Sequence, residues 1–510
     1  MNNRITLISL ALIALAAGCA VGPNYHAPQL TTPAQWSEPL TAGETNAAAL
    51  ADWWQGFRDP ELDSLMARAV RSNLDLRAAG ARVREARAQY GGSTADLWPT
   101  VDGSGSYART LESKHQPVLG SLPLPAGVPF ENNVYRGGFD ASWELDVFGG
   151  KRRAVEAAGA QWSASNFSRR DVLITVLGDV ANNYVQLRSD QQRLTIAKEN
   201  IKAQESSLAI TRDRFAKGLA RELDVEQAAT VLATTRADVP TLESSIQTAT
   251  HRVELLLGQE TGSLAMELNQ ASPLPPQPPV VPVGLPSELL LRRPDVRSAE
   301  RQLAAATANI GVAKADLFPK FSLTGAAGFE SVSASDWFTA GSRMWSLGPT
   351  VQWRIFDAGR IRANIQVQNA RQEEALATYE NTVLTAFAEV ENGLVQYAKE
   401  QNRRRSLAAA ATSSQRSLAI ANKLYANGLT DFLQVLDAER SLYQAQDELA
   451  QSDRAISMNL IALYKALGGG WEALEASPAA GLAQGSAIGK KAFAPPLPWA
   501  IRSIEPVSTN

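Results

Sequence analysis

Between Asp357 and Asn427 the chain runs for about seventy residues without a proline and is rich in Ala, Gln, Glu, Arg and Leu. Val383, Phe387, Val390, Leu394 and Tyr397 follow one another by 4, 3, 4 and 3, the spacing of a single helical face. At ~1.5 Å per residue an unbroken helix here would be roughly 100 Å long, several times the width of an ordinary domain, and it needs neighbours along that length. Subtracting 210 from each of those five numbers gives Leu173, Leu177, Val180, Tyr184 and Leu187, all apolar or aromatic. The chain is a tandem duplication, a signature that governs the architecture before any finer reading.

Other landmarks keep the same phase. RFAKGLARELDVEQA, from Arg214 to Ala228, aligns at 210 with LYANGLTDFLQVLDA, from Leu424 to Ala438. Upstream the offset becomes 220, where the segment from Asn73 to ADLWPTV meets the segment from Arg293 to ADLFPKF. Each half therefore reads helix, hairpin, long helix, turn, helix. Residues 61–260 form the first repeat, 261–286 a Pro-rich linker, 287–470 the second repeat and 471–510 a peripheral tail.

The ends are of other kinds. Met1 to Gly18 carries Arg4, an apolar run from Ile5 to Ala17 and small residues before Cys19, which reads as a signal peptide cleaved ahead of the single cysteine. Residues 20–58 are expected to run extended over the surface. Asp59 and Pro60 then open a helix expected to last until about Asp96. Pro240 is expected to kink the helix that holds it.

Two stretches change period from 3.6 to 2. Val101, Gly103, Gly105 and Tyr107 alternate with Asp102, Ser104 and Ser106, and beyond a loop holding Pro117, Pro123, Pro125 and Pro129 the odd residues from Tyr135 to Val147 alternate with polar ones. This predicts a hairpin over about 99–148, with Phe139, Ala141, Trp143 and Leu145 on the apolar face. A second hairpin over about 319–356 places Phe321, Leu323, Gly325, Ala327 and Phe329 with Trp345, Leu347, Val351, Trp353 and Ile355. Strands of ~9–11 residues suffice to cross a bilayer, and no stretch after the leader has 18 consecutive apolar residues, so a span would be made of strands. Four strands cannot close a barrel, whose smallest membrane form has ~8, so several chains must share one.

Chemistry is excluded more than it is suggested. The chain holds 49 basic and 52 acidic residues, a balance that points to no nucleic-acid partner. His26, His115 and His251 stand far apart without a motif, and no phosphate-binding glycine loop or nucleophile elbow occurs. No catalytic residue, cofactor or metal site is expected.

CAVGPNY from Cys19, DWWQGFRDPELDSL, WELDVFGGKRR from Trp143, LLLRRPDVRSAERQL with ADLFPKFSLTG, and YKALGGGW resemble the outer-membrane efflux factor family, the TolC-like channels, in its lipoprotein branch. The resemblance implies an α+β membrane protein. In it three chains pool four strands each into a twelve-stranded transmembrane β-barrel, and the tandem long helical hairpins form a periplasmic α-barrel. It implies lipidation at Cys19 and a periplasmic adaptor and an inner-membrane pump, of the RND type, as partners. The adaptor falls on the turns at Gly218, Leu219, Gly428, Leu429 and Thr430. The periplasmic gate falls on Leu223 and Leu433 with Asp437 and Arg440. Leu433, Asp437 and Arg440 lie at i, i+4 and i+7 on one face, whereas the first repeat has Leu223, Gln227 and Thr230 there. The competing reading is a periplasmic coiled-coil scaffold lipoprotein without a pore, which would have no use for four strands with one apolar face.

Overall fold

The computed structural model describes residues 20–28, 50–111, 131–278 and 286–472, with short pieces at 33, 35–37, 43–44, 113 and 281–282. Cys19, the leader, the proline loop at 117–129 and the tail beyond 472 lie outside the described residues. Apart from one four-residue turn of helix at Ala265–Leu268, the α-helices of the described residues are α1 (Pro60–Ser72), α2 (Leu74–Ala95), α3 (Gly150–Ala216), α4 (Glu222–Leu256), α5 (Pro286–Arg292), α6 (Pro294–Ala315), α7 (Arg360–Ala426) and α8 (Phe432–Ala466). The principal strands are β1 (Thr100–Leu111), β2 (Glu131–Leu145), β3 (Lys320–Ser331) and β4 (Arg343–Gln352).

The duplication is reproduced element for element. α3 and α7 are each 67 residues long and begin 210 residues apart, α4 and α8 are each 35 residues long at the same offset, and α2 and α6 are each 22 residues long at an offset of 220. Of the ten periodic positions, Leu173, Leu177, Val180, Tyr184, Leu187, Val383, Val390, Leu394 and Tyr397 are buried in one core. Phe387 is partly covered, with its ring 6.3 Å from that of Trp36. Both long helices thus use the face that their spacing specifies.

The expected helix from Pro60 to Asp96 is broken at Asn73, whose extended backbone ends α1 and whose side chain accepts from Leu76 N–H at 2.8 Å to cap α2. The break exists because another helix arrives there. Asn73 Nδ2 donates to the Leu256 carbonyl at 2.8 Å, so α4 and α2 abut end to end beside α3. The second repeat makes the same joint with a different donor: Arg293 Nη1 donates to the Ala466 carbonyl at 3.1 Å where α8 meets α6. Each long helix is flanked by two shorter ones in line.

One further expectation changes. Residues 50–57 do not run over the surface, because Leu50, Trp53, Trp54 and Phe57 are buried and the Trp53 ring stacks on Tyr464 at 5.2 Å. The segment 20–28 is held at the top of α3, with Val21 N–H donating to the Phe148 carbonyl at 3.0 Å and Arg153 Nη2 to Asn24 Oδ1 at 2.7 Å. Pro240 lies inside α4, which continues through it as one helix.

The sheet has the order β1-β2-β3-β4, antiparallel throughout. Its register brings the four alternations into phase: Val101, Ala141, Gly325 and Leu347 form one row, and Gly103, Phe139, Ala327 and Trp345 the next. The opposite face carries Asp102, Asp140, Ala326 and Ser346 in one row and Thr100, Ser142, Thr324 and Gly348 in another. A slip of one residue would mix the faces, so the pattern fixes the register. β4 stops at Gln352, and Trp353 and Ile355 follow outside it; Val147 likewise lies beyond β2. Trp143 Nε1 donates to the Leu97 carbonyl at 2.9 Å and Trp353 Nε1 to the Leu317 carbonyl at 3.1 Å, equivalent ties at the helical end of the sheet. Among the described residues no helix is long and apolar enough to cross a membrane.

Candidate functional site: sheet, tips and periplasmic end

Far from the sheet each long helix ends in the same turn. Gly218 and Gly428 both have φ of 71°, where an L side chain is strained, and a Cβ added at either would meet nothing within 4 Å. Conformation, not crowding, requires glycine there. Leu219 N–H donates to the Arg214 carbonyl at 2.8 Å and Leu429 N–H to the Leu424 carbonyl at 2.9 Å, closing both helix ends. Leu219 and Leu429 are then left 67% and 73% exposed at the extremity of the molecule, beside Thr430. Behind them Leu208, Val225, Leu232, Phe432 and Val435 form a small core that joins the two hairpins, and Arg214 lies 4.4 Å from the Tyr425 ring.

Leu223 and Leu433 are exposed on the first turn after each tip. Asp437 and Arg440 follow Leu433 on the same helix and pair with one another at 3.6 Å, with both side chains largely in solvent. Among the described residues neither Asp437 nor Arg440 has another ion pair, and both leucines are about half exposed, at 56% for Leu223 and 49% for Leu433.

The polar links between the two hairpins lie elsewhere, and sequence reading missed them. Tyr443 on α8 donates its hydroxyl to Asp238 on α4 at 2.9 Å. Arg193 on α3 grips Asp447 through Nε at 2.6 Å and Nη2 at 3.1 Å, and Asn200 donates to Gln446 at 3.0 Å. Ser207 donates to Glu439, whose carboxyl is pushed above its usual range by burial. Burial and the neighbouring Asp238 carboxylate likewise hold the Tyr443 hydroxyl protonated far into the alkaline range. Between the large core and the tip core, the hairpins therefore meet through a polar seam. The only available signal was the charged and amide residues spaced along α3 and α8, which a single helix reads as a solvated face.

Close to the α8–α6 joint, Arg293 bridges Asp295 at 2.6 Å and Glu389 at 2.6 Å. Desolvation and the adjacent Asp295 raise the carboxyl of Asp171 there. Among the described residues no group of three or more His, Cys, Asp or Glu could hold a metal ion.

The profile of the outer membrane efflux protein family matches residues 65–259 and 285–469, the two repeats. The chain is 35% identical over 474 residues to the solvent efflux pump outer membrane protein SrpC of Pseudomonas putida, covering 91% of this chain and 98% of that one. It is 34% identical to the cation efflux system protein CusC of Escherichia coli, over 90% and 98% of the two chains. It is 33% identical to SilC of Salmonella typhimurium, a probable outer membrane lipoprotein, over 92% and 99%. Among solved structures the outer-membrane channel OprN superposes with a TM-score of 0.82 at 37% identity, over 89% of this chain and all of that one. The Campylobacter jejuni outer membrane channel CmeC gives 0.83 at 25% identity, over 89% and 95%. With both repeats inside the profile and the same fold in solved channels, the chain belongs to the outer membrane efflux protein family.

Proposed function

We propose that three copies of this chain close into one duct that conducts small molecules outward from an inner-membrane pump and its periplasmic adaptor, and that the chain conducts without catalysing. Membership in an outer-membrane efflux family sets aside the pore-free scaffold. The observation that carries the trimer is a sheet with one continuous apolar face and two outer edges unpaired among the described residues, joined to helices ~100 Å long. Open edges are not tolerated in lipid, so β4 of one copy pairs with β1 of the next, and three sheets of four give twelve strands. Phe139, Ala141, Trp143 and Leu145 face lipid in that barrel, and Asp140 and Ser142 line its lumen.

The helical part supports the same closure. Nearest the sheet, neighbours follow the order α2, α3, α6, α7, and towards the tips α4, α3, α8, α7. Short and long helices alternate, and the pattern repeats when α7 of one copy meets α2 and α4 of another, a head-to-tail contact that closes a ring.

Within the ring Leu223, Leu433, Asp437 and Arg440 narrow the periplasmic end, and Gly218, Leu219, Gly428, Leu429 and Thr430 meet the adaptor. The pump is of the RND type, and lipid on Cys19 anchors the chain. Relatives named for solvent, cation and pyoverdine export are 35%, 34% and 35% identical to this chain, so overall similarity does not separate the cargoes. Selection on this reading lies mainly in the pump. The test is the purified protein in planar bilayers: heat-modifiable trimers with discrete ion conductance are expected, and trimers that never conduct would sink the duct.

A further inference from the structure

We infer that the outer surface of the sheet carries a binding site for a phosphorylated, multiply acylated glycolipid of the outer leaflet, with Arg343 as the phosphate ligand. This rests on the outward orientation of the apolar face proposed above. On that face Gly103 and Ala327 leave a floor without bulk, the Trp337 ring closes over Gly137, where an added Cβ would meet it at 3.0 Å, and Phe139, Phe329, Phe338 and Trp345 stand around the floor, making an apolar groove of about 690 Å³. Phe139 and Trp345 are 67% and 79% exposed, so the groove opens outward. Strands β2 and β3 also approach closely at this level, since a Cβ on Gly138 would lie 2.6 Å from the Ala327 carbonyl oxygen.

Arg343 stands at the groove in register with Phe329, on the apolar face. Its counterparts are neutralised: Arg109 pairs with Glu131 at 2.9 Å and Arg136, on the polar face, with Glu330 at 3.1 Å. Arg343 has no such partner among the described residues. Its row includes Gly137, eight residues from Leu145 near the helical end, which is ~27 Å along a strand and ~20 Å along the membrane normal at a tilt of ~40°. The apolar band of such barrels is ~25 Å tall, so Arg343 reaches the headgroup level on the side away from the helices, that of the outer leaflet. Tyr107, Tyr135 and Trp337 cluster just beyond, with the Tyr135 ring 4.9 Å from Tyr107 and 5.8 Å from Trp337, as an interfacial girdle would.

The two parts of the site do different jobs. Lipid tails are as apolar as the groove, so seating a chain there supplies shape and little free energy. Discrimination comes from the guanidinium, whose charge-assisted hydrogen bonds to a phosphate are about twice as strong as neutral ones.

Trimers extracted in mild detergent from outer membranes are analysed by mass spectrometry for glycolipid and phospholipid retained per trimer. Wild type is expected to keep phosphorylated glycolipid. Arg343→Gln should lose roughly tenfold of it, Arg343→Lys less, and Gly103→Leu should lose it by filling the floor, where an added Cβ has only ordinary contact with Phe139 at 3.5 Å. Recovered trimer serves as the folding control. Equal retention in wild type and Arg343→Gln overturns the site. A nitroxide on Leu347→Cys separates the two readings: quenching by oxygen and not by a polar nickel chelate keeps the face outward even if the site fails, whereas the reverse ends both.

Discussion

α3 and α7 have the same length and the same apolar phase, yet they are covered very differently. Ile174 on α3 is 4% exposed, and Leu384, its counterpart 210 residues on, is 67% exposed. Val185 is fully buried and its counterpart Val395 is 39% exposed. Leu384 and Val395 fall on one side of α7, away from the side that buries Val383, Val390 and Leu394, so along this stretch α7 carries two apolar stripes and α3 has both of its own covered, whereas nearer the tips Ile210 and Ile420 are alike exposed, at 56% and 58%. The reason is position. α3 lies between α2 and α4 on one side and α6 and α8 on the other, whereas α7 has α6 and α8 on one side only. The repeat therefore specifies a contact that the single chain leaves open, and in the proposed ring another copy's α2 and α4 would cover it.

The sharpest way to break this comparison is to charge both positions. Ile174→Arg should prevent folding, because an unpaired buried charge costs several kcal/mol. Leu384→Arg should leave a helical monomer and abolish the trimer, as read by circular dichroism and analytical ultracentrifugation. Trimers of normal yield from Leu384→Arg would mean that α7's open side is not an interface.

A second contrast sets the two faces of the sheet against each other. Phe139→Arg or Ala141→Arg should cost ~2–4 kcal/mol near the midplane and lower the yield of assembled trimer. Asp140→Arg or Ser142→Arg, one residue away, should leave that yield nearly unchanged. Equal losses would show that the faces are wrongly assigned.

Much of this was legible beforehand, for identifiable reasons. Five apolar positions repeated at a fixed offset set the length and facing of α3 and α7, and period-2 alternation set the strand faces, because each is a local pattern. The joint at Asn73 was not legible, because NLDL is compatible with a helix and the break is caused by the end of α4, 183 residues away at Leu256. Trp53, Trp54 and Phe57 looked like surface because ADWWQGF has no period, although tertiary contact with Tyr464 buries them. Arg193 and Asp447 are 254 residues apart, and their meeting depends on how two hairpins are rotated.

At the tips the halves should behave alike. Gly218→Ala and Gly428→Ala each force an L residue into left-handed backbone at about 1 kcal/mol, with no clash to add. Thermal melts should show two small, similar and additive losses; cysteines at these positions should also crosslink to the adaptor in cells. A much larger loss from one of the two would mean that the turns are not equivalent.

The smallest effect on stability, and the most informative one for transport, lies just above the tips, where the repeats diverge in chemistry. Leu223 and Leu433 are shared, whereas Asp437 and Arg440 stand where the first half has Gln227 and Thr230. The Asp437–Arg440 pair is solvent-exposed and 3.6 Å apart, so within one chain it contributes little. In the proposed ring three copies around an axis would change that, because each acid and base would face a neighbour across a narrow opening and Asp437 would repeat as a ring of negative charge. Asp437→Ala with Arg440→Ala should therefore leave the melting temperature and trimer yield unchanged while raising resting conductance and sensitivity to large antibiotics. Gln227→Ala with Thr230→Ala, at the equivalent sites of the first repeat, should do neither. If the purified Asp437/Arg440 double variant conducts like wild type, the divergence between the repeats is not a gate, and the constriction has to be sought among the polar links that join the hairpins, beginning with Tyr443 and Asp238.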